Sequence, residues 1–325
     1  MPELPEVETV RRGLERLLPG RNIARVTTRH SPKSFPNAPA DVAEFLLGAR
    51  VLQVRRRAKV LLIDLSTEYT LVIHLKMTGQ LVFIQEGPTP PLDSEVNSES
   101  SLHPLKLAHS ARTGAQDATR FGAGHPTDSL IGKLPDRSTR VVIEFTDGSH
   151  LYFNDQRKFG WMKLYPTIEV PNIDFMKKVG PEPLEDDFTA AEFVPRLRRR
   201  SGTTIKAAIL DQTVLAGVGN IYADESLWGA KIHPATRVRV LGDEQLSELL
   251  REIKYVMNLA IEKGGSTDKN YVNAEGKRGS YIDFARVFRR EGHDCPRHPG
   301  VRIEKIRVAG RGTHICPVCQ VEVAV

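Results

Sequence analysis

The chain begins with apolar residues at the spacing of an amphipathic helix. They recur at intervals of three and four along one helical face: Val7, Val10, Leu14, Leu17 and Leu18. Aliphatic runs of strand length follow in RVLQVRRRAKVLLIDLS and YTLVIHLKMTGQLVFI. Residues 1–84 are therefore predicted to form a helix followed by β-strands.

The pattern changes between Gln85 and about Asp136, where Pro, Gly and Ser are frequent and periodicity is weak. This composition favours a flexible insertion between two strands, and we assign it no chemistry. Strands are predicted again in TRVVIEFTDGSHLYFNDQRKFGWMKLY, where the Asp147-Gly148 dipeptide between apolar runs indicates a hairpin. Residues 1–166 are interpreted as the first domain, with the insertion at about 85–136.

A segment with three prolines, VPNIDFMKKVGPEPL, has little amphipathic pattern and is interpreted as an interdomain connector. Helical spacing follows in DDFTAAEFVPRLRRR, TTIKAAILDQ, NIYADESLWGA and DEQLSELLREIKYVMNLAIEKG. Asn220 and Asp243 are predicted to be helix N-caps. A second, helical domain is expected at residues 173–285, and short strands and turns at 286–325.

The size and composition agree with a multidomain globular protein. A chain of 325 residues that is 40% hydrophobic can form two or three packed domains. It has no run of roughly 18 apolar residues, and acids stand where a signal peptide would have basic and apolar residues. A cytoplasmic protein without a membrane partner is therefore expected.

The positive charge is concentrated in one part of the chain. The formal net charge is +6, and residues 277–311 hold ten Lys or Arg against four Asp or Glu. Ten minus four equals the whole excess. A solvated surface of mixed charge is the alternative interpretation, but a one-sided basic cluster favours a nucleic-acid partner.

The three cysteines lie in this last part of the chain, close to a histidine. The ligand spacing is Cys-x2-His, then 17 residues, then Cys-x2-Cys: Cys295, His298, Cys316 and Cys319. Two such pairs are typical of a structural zinc site, which has no open position for catalysis. A redox pair in the second motif is the alternative. Zinc is favoured because the intervening RIEKIRV hairpin could not fold alone in so small a module.

Two glycine-containing segments suggest contact with nucleic acid. Arg311 lies between Gly310 and Gly312 at a predicted hairpin tip, where the backbone can approach a ligand closely. Gly217 and Gly219 allow a tight turn before a helix whose free N–H groups can bind phosphate. The strand and lysine of a nucleotide-binding loop are missing, so nucleic-acid phosphate is favoured over ATP or NAD.

Several motifs occur together and in order: PELPEVE, HLKMTG, DQRKFG, GPEPL, TIKAAILDQ, AGVGNIYADE, GGSTDKNYVN and GRGTHICPVCQ. In these motifs the chain resembles the bacterial formamidopyrimidine-DNA glycosylase family, over nearly its whole length except residues 85–136. The related endonuclease VIII differs at the start, where glycine replaces Leu4. The resemblance implies an α+β multidomain fold: an N-terminal β-sandwich with flanking helices, a helical helix-two-turn-helix domain and a C-terminal zinc-finger β-hairpin.

The resemblance also implies a catalytic centre. Removal of the initiator methionine would expose Pro2, whose secondary amine attacks the sugar C1' of a damaged nucleotide. A terminal amine has a reference pKa of about 8 and is deprotonated at neutral pH far more often than lysine. Glu3 would be the general acid/base, and Lys59 and Arg311 match phosphate-contacting positions there. Without the resemblance, Pro2 and Glu3 would be interpreted only as the start of a helix.

The target nucleotide must leave the duplex before its base can be excised. By resemblance, three side chains fill the gap that it leaves: Met77, Arg157 and Phe159. Glu6 would help to hold the damaged base.

The GGSTDKNYVN loop, with Ser266 and Thr267, would close over the flipped base, and Gly264-Gly265 suits a mobile hinge. Further DNA-contacting positions are matched by His74, Lys206 and Asn220.

The chain departs from the family pattern in three places. His298 stands where the family has its second cysteine, and the following loop is one residue longer; zinc accepts this ligand set. Lys158 stands where a second arginine is common, which affects phosphate contact more than chemistry. The third departure is the insertion at 85–136.

The inferred function is that of a bifunctional DNA glycosylase and abasic-site lyase acting on 8-oxoguanine and formamidopyrimidines in duplex DNA during base excision repair. The reaction would proceed through a Schiff base on Pro2 and β,δ-elimination. We expect one structural zinc, a monomer and a nucleoid-associated location. A sister activity on oxidised pyrimidines and a non-catalytic damage-binding protein are the alternatives; retention of Pro2, Glu3 and Lys59 argues against the second.

Overall fold

The computed structural model of the chain describes residues 2–29, 31–85, 119–124, 132–266 and 281–323. Thr267 and most of the GGSTDKNYVN loop lie outside these residues. Residues 86–118 and 125–131, for which a flexible insertion is expected, also lie outside the described residues. Within the described ranges, no helix is both long enough and apolar enough to cross a bilayer.

The first helix, α1 (Leu4–Leu17), has the predicted apolar face. Val7, Val10 and Leu14 are fully buried in the core of the sandwich. Leu4, at the start of the same helix, packs instead into the core of the helical part. The N-terminus is therefore anchored between two hydrophobic cores, where it lies beside the candidate site.

Two antiparallel sheets form the N-terminal sandwich, and a short helix, α2 (Pro39–Phe45), precedes the second strand. The strands are β1 (Ile23–Thr28), β2 (Val51–Arg57), β3 (Val60–Leu65), β4 (Tyr69–His74), β5 (Gly79–Gln85), β6 (Thr119–Gly124), β7 (Thr139–Phe145), β8 (His150–Asp155) and β9 (Trp161–Pro166). One sheet has the order β1-β7-β8-β5-β6 and the other β2-β3-β4-β9.

Alternate residues of the strands fill the space between the sheets, as the two-residue period of a strand requires. Leu61 and Ile63 of β3 face the same core as Leu81 and Phe83 of β5. The intervening Leu62 faces a second, smaller cluster. The predicted hairpin at Asp147-Gly148 is confirmed: it joins β7 to β8, and Gly148 has a φ of +81°.

The expected insertion contains a strand of the sheet. Residues 119–124 form β6, which pairs with β5 along its whole length. The predicted limits of the insertion, 85–136, therefore wrongly include a strand of the sheet. Phe121 of this strand is 6% exposed and packs against Gly13 of α1. The segment TRFGAG has too few apolar residues and too many glycines to be recognised as a strand by pattern.

The connector holds a 3-10 helix at Thr167–Asn172 and a short helix, α3 (Asp174–Lys178). The helical part that follows contains α4 (Ala190–Arg198), α5 (Ile205–Leu210), α6 (Asn220–Gly229), α7 (Asp243–Glu262) and α8 (Tyr281–Phe284). The two predicted N-caps are wrong by one residue, because Gly219 and Gly242 occupy the cap positions.

The last part consists of two small hairpins. The first pairs β10 (Asp294–Cys295) with β11 (His298–Arg302), and the second pairs β12 (Glu304–Val308) with β13 (Arg311–Ile315). Ala309 and Gly310, between β12 and β13, have φ values of +50° and +74°. Two successive positive φ values make a tight hairpin turn, so Arg311 stands at the tip as predicted.

Candidate active site and metal centre

A cavity of about 370 Å³ lies where the N-terminus, the β2–β3 turn, the start of α6 and the tip of the β12–β13 hairpin meet. It brings together eight of the residues expected from the sequence: Pro2, Glu3, Glu6, Lys59, Met77, Asn220, Ser266 and Arg311. These residues are up to about 300 positions apart in the chain, so only the fold makes them neighbours.

The Glu3 carboxylate is buried at the start of α6. It accepts hydrogen bonds from the backbone N–H groups of Ile221, at 3.0 Å, and Tyr222, at 3.5 Å. The side chain is 4% exposed, and burial raises the pKa of Glu3 to about 7, although Lys59 opposes this rise. A carboxyl group that titrates near neutral pH can both donate and accept a proton, as a general acid/base must.

Two glycines allow the backbone before α6 to approach the N-terminus. A Cβ on Gly219 would lie 2.2 Å from the carboxyl carbon of Glu3. Gly217 has a φ of +84°, and its carbonyl accepts a 3.1 Å hydrogen bond from the N–H of Leu4. The glycine motif thus serves the contact with Glu3, and Gly219 rather than Asn220 is the cap for this reason.

Lys59 enters the cavity from the turn between β2 and β3. Its ammonium donates a 2.9 Å hydrogen bond to the carbonyl of Val218, and the side chain is 7% exposed. Burial lowers the pKa of Lys59, while Glu3 and Glu6 raise it. A buried ammonium beside buried carboxylates is stabilised by them and in turn favours their charged forms.

Gln212 is a cavity residue that sequence reasoning missed. Its amide donates to the carbonyl of Val218 at 2.8 Å and accepts from the N–H of Gly217 at 3.0 Å. It therefore fixes the 217–218 turn against which Lys59 is held. Its position within the TIKAAILDQ motif was the available signal, but nothing local indicated that its amide would face this turn.

The Glu6 carboxylate is engaged by the protein itself. It accepts from the N–H of Glu3 at 2.8 Å, from the hydroxyl of Tyr222 at 2.5 Å and from Ser266. Both the N–H and the hydroxyl of Ser266 donate to it, at 2.9 and 3.1 Å. Glu6 therefore links the start of α1 to the entrance of the GGSTDKNYVN loop, where Ser266 lies. Tyr222 was not foreseen in this role.

Met77, Arg157 and Phe159 are exposed residues of the loops that join β4 to β5 and β8 to β9. Met77 is 40% exposed and Phe159 is 53% exposed, which is unusual for large apolar side chains that pack in strands. The Arg157 guanidinium lies 5.0 Å from the centre of the Phe159 ring. All three are therefore free to enter a bound duplex, as their predicted gap-filling function requires.

Asp155 holds the two loops that carry these residues. Its buried carboxylate accepts from the N–H of Gly160 at 2.6 Å, from the N–H of Arg157 at 3.2 Å and from the hydroxyl of Thr78. Asp155 is the first residue of the DQRKFG motif, and the sequence alone did not indicate this role.

His74 is placed to donate a hydrogen bond without charge. Burial lowers the pKa of His74 to about 3, so the ring is neutral at physiological pH. Its Nδ1 accepts from the N–H of Lys76 at 3.0 Å, which leaves the hydrogen on Nε2. A phosphate contact through His74 would therefore be a neutral one.

Lys206 does not have the exposure that a phosphate contact requires. The side chain is fully buried, and its ammonium is bound by Asp224 at 2.6 Å and by the Thr313 hydroxyl at 2.7 Å. The predicted direct DNA contact is therefore not supported. Asp224 also accepts from the N–H of His314 at 2.9 Å, so this buried pair fixes β13 to α5 and α6.

Asn220 and Arg311 are both on the cavity wall. The Asn220 amide donates a 3.0 Å hydrogen bond to the carbonyl of Gly312, next to Arg311. Arg311 is exposed at the hairpin tip, and its charge is felt at both Lys59 and Lys206. The helix that caps Glu3 thus also positions the arginine.

The four predicted metal ligands form one cluster, with ligand atoms within 4.8 Å of one another. Cys295 Sγ lies 3.7 Å from Cys319 Sγ, and His298 Nδ1 lies 3.2 Å from Cys319 Sγ and 3.8 Å from Cys316 Sγ. Zinc–sulfur bonds of about 2.3 Å in a tetrahedron place sulfur atoms about 3.8 Å apart. The donor set and its spacing therefore fit one structural zinc.

A two-sheet sandwich, a helical part and a zinc hairpin meet at a cleft, which holds a buried glutamate near the N-terminus. This combination defines the helix-two-turn-helix class of DNA-repair proteins. Three family profiles agree with this class. They describe the formamidopyrimidine-DNA glycosylase N-terminal domain at residues 1–162, its H2TH domain at 179–271, and a zinc finger found in FPG and IleRS at 300–321.

Known proteins are similar over the whole chain. The formamidopyrimidine-DNA glycosylase of Herpetosiphon aurantiacus is 40% identical, covering 98% of this chain and 100% of its own. Lactococcus lactis Fpg in complex with DNA containing an abasic site has a TM-score of 0.76 and 31% identity, with 98% of this chain and 100% of that one covered. MutM bound to DNA containing carbocyclic 8-oxo-G gives 0.76 and 31%, with 99% and 100% covered. The chain belongs to the formamidopyrimidine-DNA glycosylase family.

Proposed function

We propose that this protein excises oxidised purines from duplex DNA and then cleaves the strand as an abasic-site lyase, with Pro2 as nucleophile and Glu3 as general acid/base. The observation that carries the proposal is the burial of Glu3 beside Pro2 and Lys59 in one cavity of a family member. Membership of the family supports the proposed activity. The proximity of Pro2, Glu3 and Lys59 in the cavity supports the roles proposed for these residues.

Pro2 acts once Met1 has been removed. Its secondary amine attacks C1' of the damaged nucleotide, the C1'–base bond breaks, and the amine loses its proton. The C1'–O4' bond of the sugar then opens, O4' takes up a proton, and a cationic iminium remains. This electron sink acidifies C2', so that β-elimination and then δ-elimination cleave the strand. Glu3 exchanges protons during base departure, ring opening and elimination, which its pKa of about 7 permits. Lys59 and Arg311 bind the phosphate next to the reacting sugar.

Recognition of the lesion uses the other residues of the cleft. Met77, Phe159 and Arg157 occupy the gap left by the extruded nucleotide, with the arginine facing the orphaned cytosine. Glu6, Ser266 and Thr267 form the binding site of the damaged base, and His74 and Asn220 contact the backbone. The zinc holds the hairpin that presents Arg311 and supplies no catalytic chemistry.

The chain is organised as a catalytic sandwich at 1–166, a helix-two-turn-helix part at 173–285 and a zinc finger at 286–325. Separate hydrophobic clusters in the three parts support these limits. The protein acts as a monomer, because one chain provides every residue named in the mechanism. Its DNA substrate implies a cytoplasmic, nucleoid-associated location.

The test is borohydride trapping on a duplex with one 8-oxoguanine opposite cytosine, followed by peptide mass spectrometry of Met-less protein. We expect a DNA adduct on the amine of Pro2. Tight binding without an adduct would instead indicate a non-catalytic damage binder. Faster excision of thymine glycol than of 8-oxoguanine would favour the sister activity on oxidised pyrimidines.

A further inference from the structure

A buried carboxylate in the connector is bonded to the turn that carries Lys59. Glu182, in the GPEPL segment, is 9% exposed. It accepts hydrogen bonds from Arg56 at 2.8 Å, from Arg57 at 2.9 Å and from the N–H of Ala58 at 2.5 Å. Two arginines and a backbone donor offset the cost of burying this charge, so the carboxylate has a defined position.

The turn that Glu182 binds has an unusual backbone. Ala58 has a φ of +52°, a left-handed conformation that costs an alanine about 1 kcal/mol or more. The bond from its N–H to Glu182 favours this conformation. Lys59 follows immediately, and its side chain then reaches Val218. The direction of Lys59 therefore depends on the geometry that Glu182 imposes.

The same connector also holds the acceptor of Lys59. The N–H of Gly180 donates to the carbonyl of Gln212 at 2.7 Å, and the N–H of Ala216 donates to the carbonyl of Pro181 at 2.9 Å. Gln212 in turn binds the Val218 carbonyl. Both partners of the Lys59–Val218 hydrogen bond are thus attached to residues 180–182.

We propose that Glu182 is a positioning residue that sets the Lys59 ammonium in the active site through the β2–β3 turn. It is absent from the lining of the cavity, so it is proposed to act through Lys59 and not on the substrate. The inference rests on the proposed function, because it concerns the reaction in which Lys59 takes part. A positioning role differs from simple attachment of two domains. If Glu182 positions Lys59, a change at Glu182 lowers the reaction rate only while Lys59 is present.

The electrostatics of the site supply a readout. Lys59 lowers the pKa of Glu3 against the effect of burial. Within the described ranges, other ionisable groups that interact with Glu3 or Lys59 include Glu6, the chain amino group, His74, Tyr222, Lys206 and Arg311. If the ammonium moves away, these groups remain, and the pKa of Glu3 rises further. A rate that requires ionised Glu3 should then reach half its maximum at higher pH.

The experiment uses the full-length, Met-less protein and the rate of borohydride trapping on an abasic-site duplex as a function of pH. Glu182→Gln removes the charge while keeping the volume. We expect a rate on the order of 10- to 100-fold lower at pH 7, the loss typical of a small misplacement, and a limb displaced to higher pH. Zinc content and affinity for the duplex should stay close to those of the wild type.

A double-mutant cycle separates positioning from a structural effect. In a Lys59→Met background, Glu182→Gln should cause no further loss, whereas an equal loss in both backgrounds would overturn the proposal. Glu192→Gln is the matched control, since this glutamate pairs with Arg196 on the surface of α4. An unchanged rate and pH limb in Glu182→Gln would also overturn it.

If Glu182→Gln does not fold, Arg57→Gln removes one donor of the Glu182 carboxylate and retains Arg56 and Ala58. We then expect a smaller loss in the same direction, again absent in the Lys59→Met background, and an additive loss would contradict the proposal. The wild-type protein reports on the proposed function in the same assay. If it forms no adduct, the lyase assignment itself fails, which is distinguishable from failure of Glu182→Gln alone.

Discussion

At the scale of single residues, the site depends on charges that the fold removes from water. Glu3 gains two backbone hydrogen bonds at the start of α6, yet burial dominates and disfavours its charged form. Its carboxyl is therefore mostly neutral below about pH 7 and mostly ionised above it. An exposed glutamate, by contrast, would be ionised at neutral pH. This shift is what makes a glutamate useful for proton transfer at neutral pH.

The first prediction concerns this titration. The elimination step on an abasic-site duplex should accelerate as the pH rises through about 7, because Glu3 must be ionised to accept a proton. In Glu3→Gln the rate should fall by 10²-fold or more, on the order of the loss of a general base, and the limb near pH 7 should disappear. A pH series of single-turnover rates measures both. The same limb in both proteins would assign it to the Pro2 amine.

The second prediction distinguishes the buried pair from a DNA contact. Lys206→Met leaves Asp224 buried without its cation, which should lower the free energy of unfolding by about 3–5 kcal/mol. The salt dependence of DNA binding should be unchanged, because no phosphate contact is lost. Thermal unfolding and binding titrations at several salt concentrations test this. Unchanged stability with a smaller salt slope would restore the direct contact.

Which site residues were predictable depends on how they act. Glu3 and Lys59 were assigned through motifs, and they do lie together in the cavity. Gln212, Asp155 and Glu182 were given no role. Gln212 bonds to a turn five and six residues further on, whereas Asp155 and Glu182 bond to Thr78 and Ala58, which are far away in sequence, and no sequence pattern marks either kind of contact. The burial of Lys206 was not foreseen, since a lysine in a basic protein gives no local sign that its partner is a buried aspartate.

At the scale of elements, apolar periodicity predicted α1 and α7, because each helix buries one regular face. The long strands were predicted from continuous aliphatic runs, because a strand such as β3 is buried on both faces. β6 was missed because its position derives from backbone pairing with β5 and not from its composition. The predicted N-caps of α6 and α7 lie one residue after the observed caps. At α6 the approach of Glu3 requires a glycine at the cap, which no local rule contains.

The third prediction tests the packing of β6 on α1. Alanine in place of a helical glycine normally stabilises a helix by about 1 kcal/mol. A Cβ at Gly13, however, would lie 1.8 Å from the ring of Phe121. Gly13→Ala should therefore destabilise the protein, by about 1–3 kcal/mol, and lower its unfolding temperature.

The control for this effect is Gly202→Ala, where a Cβ would meet nothing within 4 Å. Phe121→Ala should relieve part of the loss in the Gly13→Ala background, so that the two changes are not additive. If Gly13→Ala raised the unfolding temperature, the Phe121 ring could not lie over the helix.

The fourth prediction concerns the zinc hairpin. His298→Ala removes one of four ligands, so the protein should lose zinc, and the hairpin that presents Arg311 should no longer be held. We expect weaker DNA binding with a sandwich that remains folded. His298→Cys should retain zinc, because sulfur suits the same tetrahedral site. Metal analysis by mass spectrometry measures both variants. One zinc per chain in His298→Ala would show that this histidine is not a ligand.

At the scale of the whole molecule, the cleft is formed by three parts of the chain that are distant in sequence. The residues proposed to fill the gap belong to the sandwich, Asn220 belongs to α6, and Arg311 belongs to the zinc hairpin. Leu4 and the connector tie the sandwich to the helical part, and Asp224 ties α6 to the hairpin. A duplex in the cleft would therefore contact all three parts, which agrees with the role proposed for Arg311 of the hairpin.

The last prediction follows from this placement of charge. Each phosphate neutralised on duplex DNA releases counterions and contributes about 0.9 to the slope of log affinity against log salt. Arg311→Ala should therefore lower the magnitude of that slope by about one and weaken binding to a stable abasic-site analogue. Arg251→Ala is the control, because this arginine is 78% exposed on α7 and pairs with Glu248. Its slope should equal that of the wild type. If Arg311→Ala also left the slope unchanged while weakening binding, the arginine would contact a base edge and not a phosphate, because only phosphate contacts release counterions in this proportion.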